Sequence, residues 1–346
     1  MAAQYLIYVE GISYRWAGIG HDRNAFMSYA MRMGMGIRQG DLLTPLKEFF
    51  AIRSWPPLHQ LLVAIVITIF GPNLKLVILP SLLAFGGTAI FCFLLARRLA
   101  LEIPNIAGIV AASIVLSSPA HRVFATDVML ESLGAFLSVL LLYAYVVWRE
   151  NLSPGTTRWF AILLTFSFLE KYNYWLLVVI SIIAAEVITH RRLIPSAIDL
   201  VRQIDWKDWM SKQLVNPLNY ILFGLTVYLF FMIYSGGGEF EIFGQKVRTG
   251  PKALNLWSYC LYVLLLRLLL SWREECGIIW GWLPKSARIL SIWHGLPILI
   301  WLIYPKRLGL IAWFLGPMNS SGPRANFGES LRFYGDSLMK DYHLSV

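Results

Sequence analysis

The stretch from Leu76 to Arg98, LVILPSLLAFGGTAIFCFLLARR, decides what kind of protein this is. From Leu76 to Ala96 it runs 21 residues without a charge, then closes on Arg97-Arg98. A helix of roughly 20 apolar residues crosses the about 30 Å of hydrocarbon in a bilayer, so this run predicts a membrane-spanning helix. Comparable runs lie at Ile103–Ala120, Ser132–Trp148 (closed by Arg149-Glu150), and Trp159–Leu169 with Tyr172–Ala185, a pair interrupted by Glu170-Lys171. Further along are Gln213–Gly238, with its apolar core Tyr220–Tyr234, then Ala253–Leu266, Ile289–Tyr304 and Leu308–Pro317. The expectation is an all-α polytopic membrane protein with about eight transmembrane helices and juxtamembrane helices on the outer face.

Composition agrees. Of 346 residues, 57% are hydrophobic and only 14% charged, against about 25% charged in an ordinary soluble domain. Such a chain cannot cover its own surface with polar groups, and disordered, fibrous and disulfide-scaffold classes are excluded by the same numbers. The net charge of +10 is therefore a question of which side of a bilayer each cation occupies, not a nucleic-acid signal. Cys92, Cys260 and Cys276 are widely spaced, with no CxxC or zinc spacing.

The central spans orient themselves. If Leu76–Ala96 runs toward the cytoplasm, then Arg97-Arg98, Arg149, Arg158 and Arg191-Arg192 all fall on that side, as the positive-inside rule favours. The opposite face then carries Asp127, Glu131 and Glu170-Lys171. Pro305-Lys306-Arg307 breaks simple alternation, and demoting Ala253–Leu266 to a helix on the outer interface repairs it. Failure of the charge rule for late loops is the alternative.

No cationic segment precedes an apolar run at the amino terminus, so no signal peptide is read there. Ser54–Leu74 is uncharged, but its continuously apolar part, Leu61–Phe70, reaches only about 15 Å as a helix. The Pro56-Pro57 pair suits an entry turn at the interface. The segment is read as a partly embedded juxtamembrane helix. The chain thus divides into an outer-face acidic loop and juxtamembrane helix (1–75), a transmembrane helical domain (76–318) and a polar tail (319–346).

An ordered set of short stretches carries a resemblance. They are Asp22 with Tyr29-Ala30, Gly40-Asp41-Leu42-Leu43-Thr44-Pro45, Trp55-Pro56-Pro57-Leu58, Phe70-Gly71-Pro72 and Leu95-Ala96-Arg97-Arg98-Leu99. Ser118-Pro119, Asp127-Val128-Met129-Leu130-Glu131 and Leu169-Glu170-Lys171-Tyr172-Asn173 follow. In this order the chain resembles the polyprenyl-phosphate-sugar-dependent glycosyltransferases of the GT-C class, among them protein O-mannosyltransferases and the aminoarabinose transferases of lipid A. The resemblance implies a GT-C-like bundle and an inverting glycosyltransferase. Its donor is a polyprenyl-phosphate-linked sugar, its acceptor a hydroxyl or other group on a protein, lipid or glycan, and its site lies on the periplasmic or extracytoplasmic face. The chain departs from the pattern at Arg23, where the family has a second acid, and at Ser54-Trp55, where an acid and a lysine often precede the proline pair. The family also places a transmembrane helix before its acidic loop, and residues 1–21 contain no run long enough. The alternatives are an amino terminus lacking that first helix, or a loop whose translocation is left without an account.

Sugar transfer needs a carboxylate to take the acceptor's proton and cations to stabilise the departing phosphate. Asp22 matches the family's first-loop acid and is the candidate base, against a plain reading as a solvated acid paired with Arg23. Asp41, between a glycine and apolar residues, reads as a turn or N-cap residue. Asp127 and Glu131 are spaced i, i+4, which places both on one face of the helix opening the third long span. Asp127 there would gain from the helix dipole. Glu131 occupies the family's second acidic position and would orient the acceptor or bind a divalent metal with Asp22. Lys171 is the phosphate candidate, against an ion pair with Glu170. Arg53, His121, Arg122 and Tyr172 complete the candidate donor contacts, each with an alternative as an interface anchor or aromatic-belt residue. His59 and His121 lack any HxxxH or HExxH spacing, so no metal ligands are assigned. Walker, GxGxxG and GxSxG patterns are missing from the sequence. The alternatives kept open are a secondary transporter or flippase, against which stands the lack of an internal repeat, and a non-catalytic protein that binds polyprenyl phosphate.

Overall fold

A computed structural model describes residues 1–17, 21–51, 55–189, 206–235, 238–242, 245–249, 254–271, 280–281 and 283–315. Helices dominate. In chain order they are α1 (Ala2–Glu10), α2 (Ile12–Ala17), α3 (His21–Arg38), α4 (Leu43–Phe50), α5 (Leu58–Phe70), α6 (Leu79–Leu99), α7 (Pro104–Ser117) and α8 (Pro119–Ala125). Then come α9 (Leu130–Glu150), α10 (Pro154–Glu170), α11 (Tyr172–Thr189), α12 (Trp206–Val215) and α13 (Pro217–Ser235). After the strands β1 (Gly238–Ile242) and β2 (Gln245–Thr249) follow α14 (Leu254–Leu270), α15 (Lys285–Leu290), a π-helical turn (Ser291–Gly295), α16 (Leu296–Leu302) and α17 (Arg307–Leu315). The chain falls into two compact units, Met1–Val178 and Val179–Asn319.

Among the described residues four helices are long and apolar enough to cross a bilayer: α6, α9, α11 and the Pro217–Tyr234 part of α13. The α7–α8 pair, bent by 64° at Ser118-Pro119, passes the same test taken together. The protein is a helical membrane protein. A short two-stranded hairpin, Gly238–Ile242 with Gln245–Thr249, stands among the helices and leaves the helical class intact. Its antiparallel register sets Glu239 opposite Arg248 and Glu241 opposite Lys246, with Phe240 opposite Val247. The apolar run at Gln213–Gly238 is also cut short at its start. Pro217 begins α13, and the Asn216 side chain accepts the Leu218 N–H at 3.0 Å.

In the first unit α6 and α9 run parallel, held to each other at both ends, and α10 returns antiparallel against α9. At one end Ser132 Oγ of α9 donates to Ser81 O of α6 at 2.7 Å. At the other, Arg98 of α6 grips Glu150 of α9, with Nε donating to Oε1 at 2.8 Å. Ser81 and Arg98 are 17 residue steps apart along α6, about 25 Å of helix. The α9–α10 connection is closed by Ser153, whose Oγ accepts the Thr156 N–H at 3.2 Å. Trp148 stacks on Phe160 at 5.1 Å and 13° and donates to Thr157 Oγ1 at 3.0 Å. The segregation read from the sequence is therefore built into the fold: Arg97, Arg98, Arg149 and Arg158 lie at one end of these helices, and Asp127, Glu131, Glu170 and Lys171 at the other. Arg191 and Arg192 lie outside the described residues.

The first 75 residues, expected as a loop and one helix, fold into five helices. Asp41 Oδ1 accepts the N–H groups of Leu43 and Thr44, and Oδ2 accepts the Thr44 hydroxyl. These bonds start α4, and the Thr44 contacts hold the Asp41 carboxyl below the ordinary aspartate range. Arg32 of α3 then ties α4 back through Glu48, with Nε to Oε1 at 2.6 Å. Tyr8 of α1, almost fully buried, donates to Leu74 O at 2.6 Å and accepts Trp16 Nε1–H at 3.0 Å. α3 lies directly on α5 because Gly34 has no side chain. A Cβ there would stand 2.8 Å from both Ala64 O and Ile67 Cβ.

In the second unit, α14 packs against α13 and α17. Arg267, 8% exposed, donates from Nε to Asn219 Oδ1 at 2.6 Å and from Nη2 to Gln213 Oε1. Tyr262 donates to Ile303 O at 2.7 Å, and Ser258 Oγ accepts the Lys306 N–H at 2.8 Å. The segment read as a helix on the outer interface forms the 17-residue helix α14. The polar tail 319–346 lies outside the described residues.

The α3–α5 contact is open to test. Replacing Gly34 by Leu overpacks it and costs about 1–3 kcal/mol, read as a lowered unfolding temperature in detergent. An unchanged transition would mean that α3 and α5 do not pack as described.

Candidate functional site

The acidic end of α6, α9 and α10 is a buried polar knot with Ser81 at its centre. Ser81 sits in the first turn of α6 and is fully buried. Its hydroxyl donates to Asp127 O at 2.7 Å. Having spent its one proton there, it accepts from His59 Nε2 at 3.0 Å. His59 is thereby fixed as the Nε2–H tautomer, and Nδ1 is left as a buried acceptor with no hydrogen-bond partner. The knot joins the start of α5 (His59, Gln60), the start of α6, the turn at Thr126–Met129 and the first turn of α9 (Glu131, Ser132).

α3 enters through Arg23, whose Nε lies 2.5 Å from Asp127 Oδ1 and whose Nη2 lies 2.6 Å from Oδ2. This fork-to-fork pair is the strong form of a charge-assisted hydrogen bond. Its side chains are 22% and 9% exposed, and the bonds to Asp127 hold the Arg23 guanidinium more firmly protonated than usual. Asp127 Oδ1 also accepts the Val128 N–H at 2.8 Å. The i, i+4 reading of Asp127 and Glu131 is corrected here: α9 begins at Leu130, after an extended Met129. Asp127 therefore lies in the preceding turn, where its bonds to Arg23 and its own chain compete with helix formation.

The second ion pair joins Lys171, in the one-residue link between α10 and α11, to Glu131 of α9. Nζ lies 2.9 Å from Oε1, with side chains 16% and 24% exposed. The ammonium also stands 5.2 Å from the centre of the Trp55 ring and 5.4 Å from that of Tyr174, within cation–π range. The alternative reading of Lys171, an ion pair with Glu170, gives way to this one. Glu170 turns inward instead: it is fully buried, and both its carboxyl oxygens are without a hydrogen-bond partner. Glu131 Oε2 and Gln60 Oε1 are buried in the same condition.

The other sequence candidates scatter. Asp22 is exposed in the first turn of α3, a helix and not a loop, one residue from the Arg23–Asp127 pair. Arg122 donates to Ser117 O at 2.9 Å and so caps the end of α7. His121 N–H closes on Ser118 Oγ at the bend between α7 and α8. Tyr172 is 3% exposed, packed on Phe168 at 5.0 Å and Trp55 at 6.2 Å, so it supports the site from within. Arg53 lies outside the described residues. Among the described residues no three of His, Cys, Asp and Glu assemble as metal ligands, and Glu131 Oε1 is engaged by the ammonium of Lys171.

Sequence reasoning brought forward Asp127, Glu131 and Lys171, which the fold unites, but missed Arg23, Ser81, His59 and Glu170 as parts of the same cluster. Arg23 stood in view as the residue replacing an acid. Its partner lies 104 positions away, and only the fold brings them together. Glu170 had a local signal, an acid at the very end of an apolar run.

Compared with known proteins, the chain matches no family model, no curated protein and no solved structure.

The Arg23–Asp127 pair yields a test. Arg23→Met strands a largely buried carboxylate and is expected to cost about 3 kcal/mol of stability. Asp127→Asn introduced together with it restores part of that loss. A double-mutant cycle by denaturant unfolding reads the coupling, and additive effects would remove the pair from the fold's essential contacts.

Proposed function

We propose that the protein is a multi-pass membrane glycosyltransferase that moves a sugar from a polyprenyl-phosphate donor to a hydroxyl acceptor at the extracytoplasmic face. The observation that carries this reading is the clustering of Asp127, Glu131, Glu170, Arg23 and Lys171 at one end of α5, α6, α9 and α10, while the arginines hold the other end. A site for a lipid-linked anionic donor needs carboxylates and a cation at one membrane face, beside a surface that accepts a hydrocarbon tail. The helix that leaves this cluster, α11, exposes Leu177, Ile180, Ile183 and Ile188, an apolar surface suited to lipid.

In this mechanism the acceptor hydroxyl gives its proton to Asp22 while its oxygen attacks the anomeric carbon. The bond from that carbon to the phosphate oxygen breaks, and polyprenyl phosphate leaves with the electron pair, its charge met by Lys171. Attack opposite the leaving group inverts the anomeric centre. Asp22 supports the assignment by its exposure beside the Arg23–Asp127 pair, where an acceptor could reach it. Glu131 holds Lys171 in position, and Trp55 and Tyr174 flank the ammonium. A GT-C-like bundle of about eight crossings would require α7–α8, the Trp159–Leu169 core of α10 and the apolar helices between 254 and 315 to cross as well.

Asp22→Asn is expected to lower transfer by at least about 100-fold, the scale of a lost general base, with folding and donor binding intact. The assay is release of polyprenyl phosphate from a panel of polyprenyl-phosphate hexoses and pentoses in liposomes. Turnover equal to the parent would exclude Asp22 as the base.

A further inference from the structure

The end of the first unit opposite the buried knot is built from arginines and apolar turns. α6 closes on Arg97-Arg98, α9 closes on Arg149-Glu150, and α10 carries Arg158 near its start. Arg98 is committed to Glu150, which brings the turns after α6 and α9 together. The side chains of Arg97 and Arg158 are exposed, and among the described residues neither makes a hydrogen bond or an ion pair. Glu102, in the turn after α6, is the acid at this end besides Glu150. Between the cations stand apolar side chains that face outward. Leu101 after α6 is 94% exposed, Leu152 after α9 58%, and Trp159, next to Arg158, 68%.

Apolar surface opened to water is unfavourable in proportion to its area, and these three side chains call for a neighbour other than water. The height of the turns supplies one. Ser81 and Arg98 are separated by about 25 Å of helix, and the hydrocarbon of a bilayer is about 30 Å thick. With Ser81 near one boundary the arginines stand near the other, at the level of the headgroups, where tryptophan is also favoured. All four cations named here are arginine. A guanidinium meets two phosphate oxygens through parallel N–H donors, which the compact ammonium of lysine does not. Lysine is used instead at the opposite end, at Lys75 and Lys171.

We propose that this face binds phospholipids with an anionic headgroup: lipid phosphates meet Arg97 and Arg158, while Leu101, Leu152 and Trp159 enter the acyl boundary beside them. The positive-inside rule makes this the cytoplasmic leaflet. Anionic lipids there attract juxtamembrane cations, at about fivefold in affinity for each arginine. Exposed cations and exposed apolar side chains on one set of helix ends match both parts of a phospholipid. A soluble anion would engage the cations alone, and a soluble acidic protein would not reach side chains set at the acyl boundary. The inference is independent of the glycosyltransferase reading, whose acids lie at the other end of the same helices.

The experiment titrates the full chain in neutral detergent with dioctanoyl phosphatidylglycerol and, separately, with dioctanoyl phosphatidylcholine, reading bound lipid by native mass spectrometry. The parent is compared with Arg97→Gln, Arg158→Gln, the double variant and Lys75→Gln, each first shown to keep the parent's thermal transition without lipid. The parent should bind phosphatidylglycerol about 25-fold more tightly than phosphatidylcholine, each arginine variant should lose about fivefold of that preference, and the double variant should lose it all. Phosphatidylcholine binding should be the same in every protein. Lys75→Gln should keep the parent's preference, and the preference should shrink as salt is raised. The parent's own preference needs no variant to fold. Equal binding of the two lipids by the parent, an undiminished preference in the double variant, or an equal loss in Lys75→Gln overturns the proposal. So does full competition by inorganic phosphate, which would make this a site for a soluble anion.

Discussion

A single buried hydroxyl organises the first unit of this protein. Ser81 donates to the backbone of the Thr126–Met129 turn, accepts from His59, and through its carbonyl accepts the hydroxyl of Ser132. Three bonds thus tie the beginnings of α5, α6 and α9 together, and Asp127 passes the connection to α3 through Arg23. Each such bond is worth about 1 kcal/mol net, but one left unmade in the interior costs about 1–3 kcal/mol. The sequence around the knot has to satisfy all of them at once. The turn before α9 stays extended at Met129, α6 opens with a proline that has no N–H in need of an acceptor, and His59 holds one tautomer. Apolar packing against Val77, Ile78, Val128 and Leu130 encloses the knot and keeps water from competing for these bonds.

This constraint explains why the charges separate as they do. Helices crossing lipid satisfy their own backbones and place ionisable groups at their ends. At one end of α6 and α9 the pair Arg98–Glu150 is well exposed, with side chains 36% and 50% accessible, and contributes little beyond anchoring. At the other end the pairs are buried, and there the cost of an unpaired group is high. Glu131 and Lys171 are each partly exposed, whereas Glu170 is fully buried.

Much of the helical framework was legible because apolar length is a one-dimensional property. The run ending at Arg97-Arg98 became α6, and the one closed by Arg149-Glu150 became α9. The Glu170-Lys171 interruption marked the break between α10 and α11. Readings that depended on contact between distant residues fared differently. The i, i+4 spacing of Asp127 and Glu131 suggested a shared helical face, but Arg23 and the Val128 N–H hold Asp127 outside the helix. Lys171 beside Glu170 suggested a neighbouring pair. An extended residue between two helices, with φ −158° and ψ 121°, points Lys171 toward α9 and leaves Glu170 to the interior. The hairpin at 238–249 was hidden for another reason: its alternation of charged and apolar residues follows directly on the apolar run that forms α13.

The acids are more informative than the cations because the fold treats them unequally. Asp127 is fully satisfied by Arg23 and its own backbone, so it serves the architecture. Glu131 is half satisfied, with one oxygen on Lys171 and the other buried without a partner. Glu170 is satisfied by nothing it touches through hydrogen bonds. A purely structural cluster would gain from replacing Glu170 with an apolar residue of similar size, since burying such a group is unfavourable and removing it relieves that cost. The carboxyls thus form a gradient from fully paired to unpaired, and it reaches the surface where Glu131 meets Lys171.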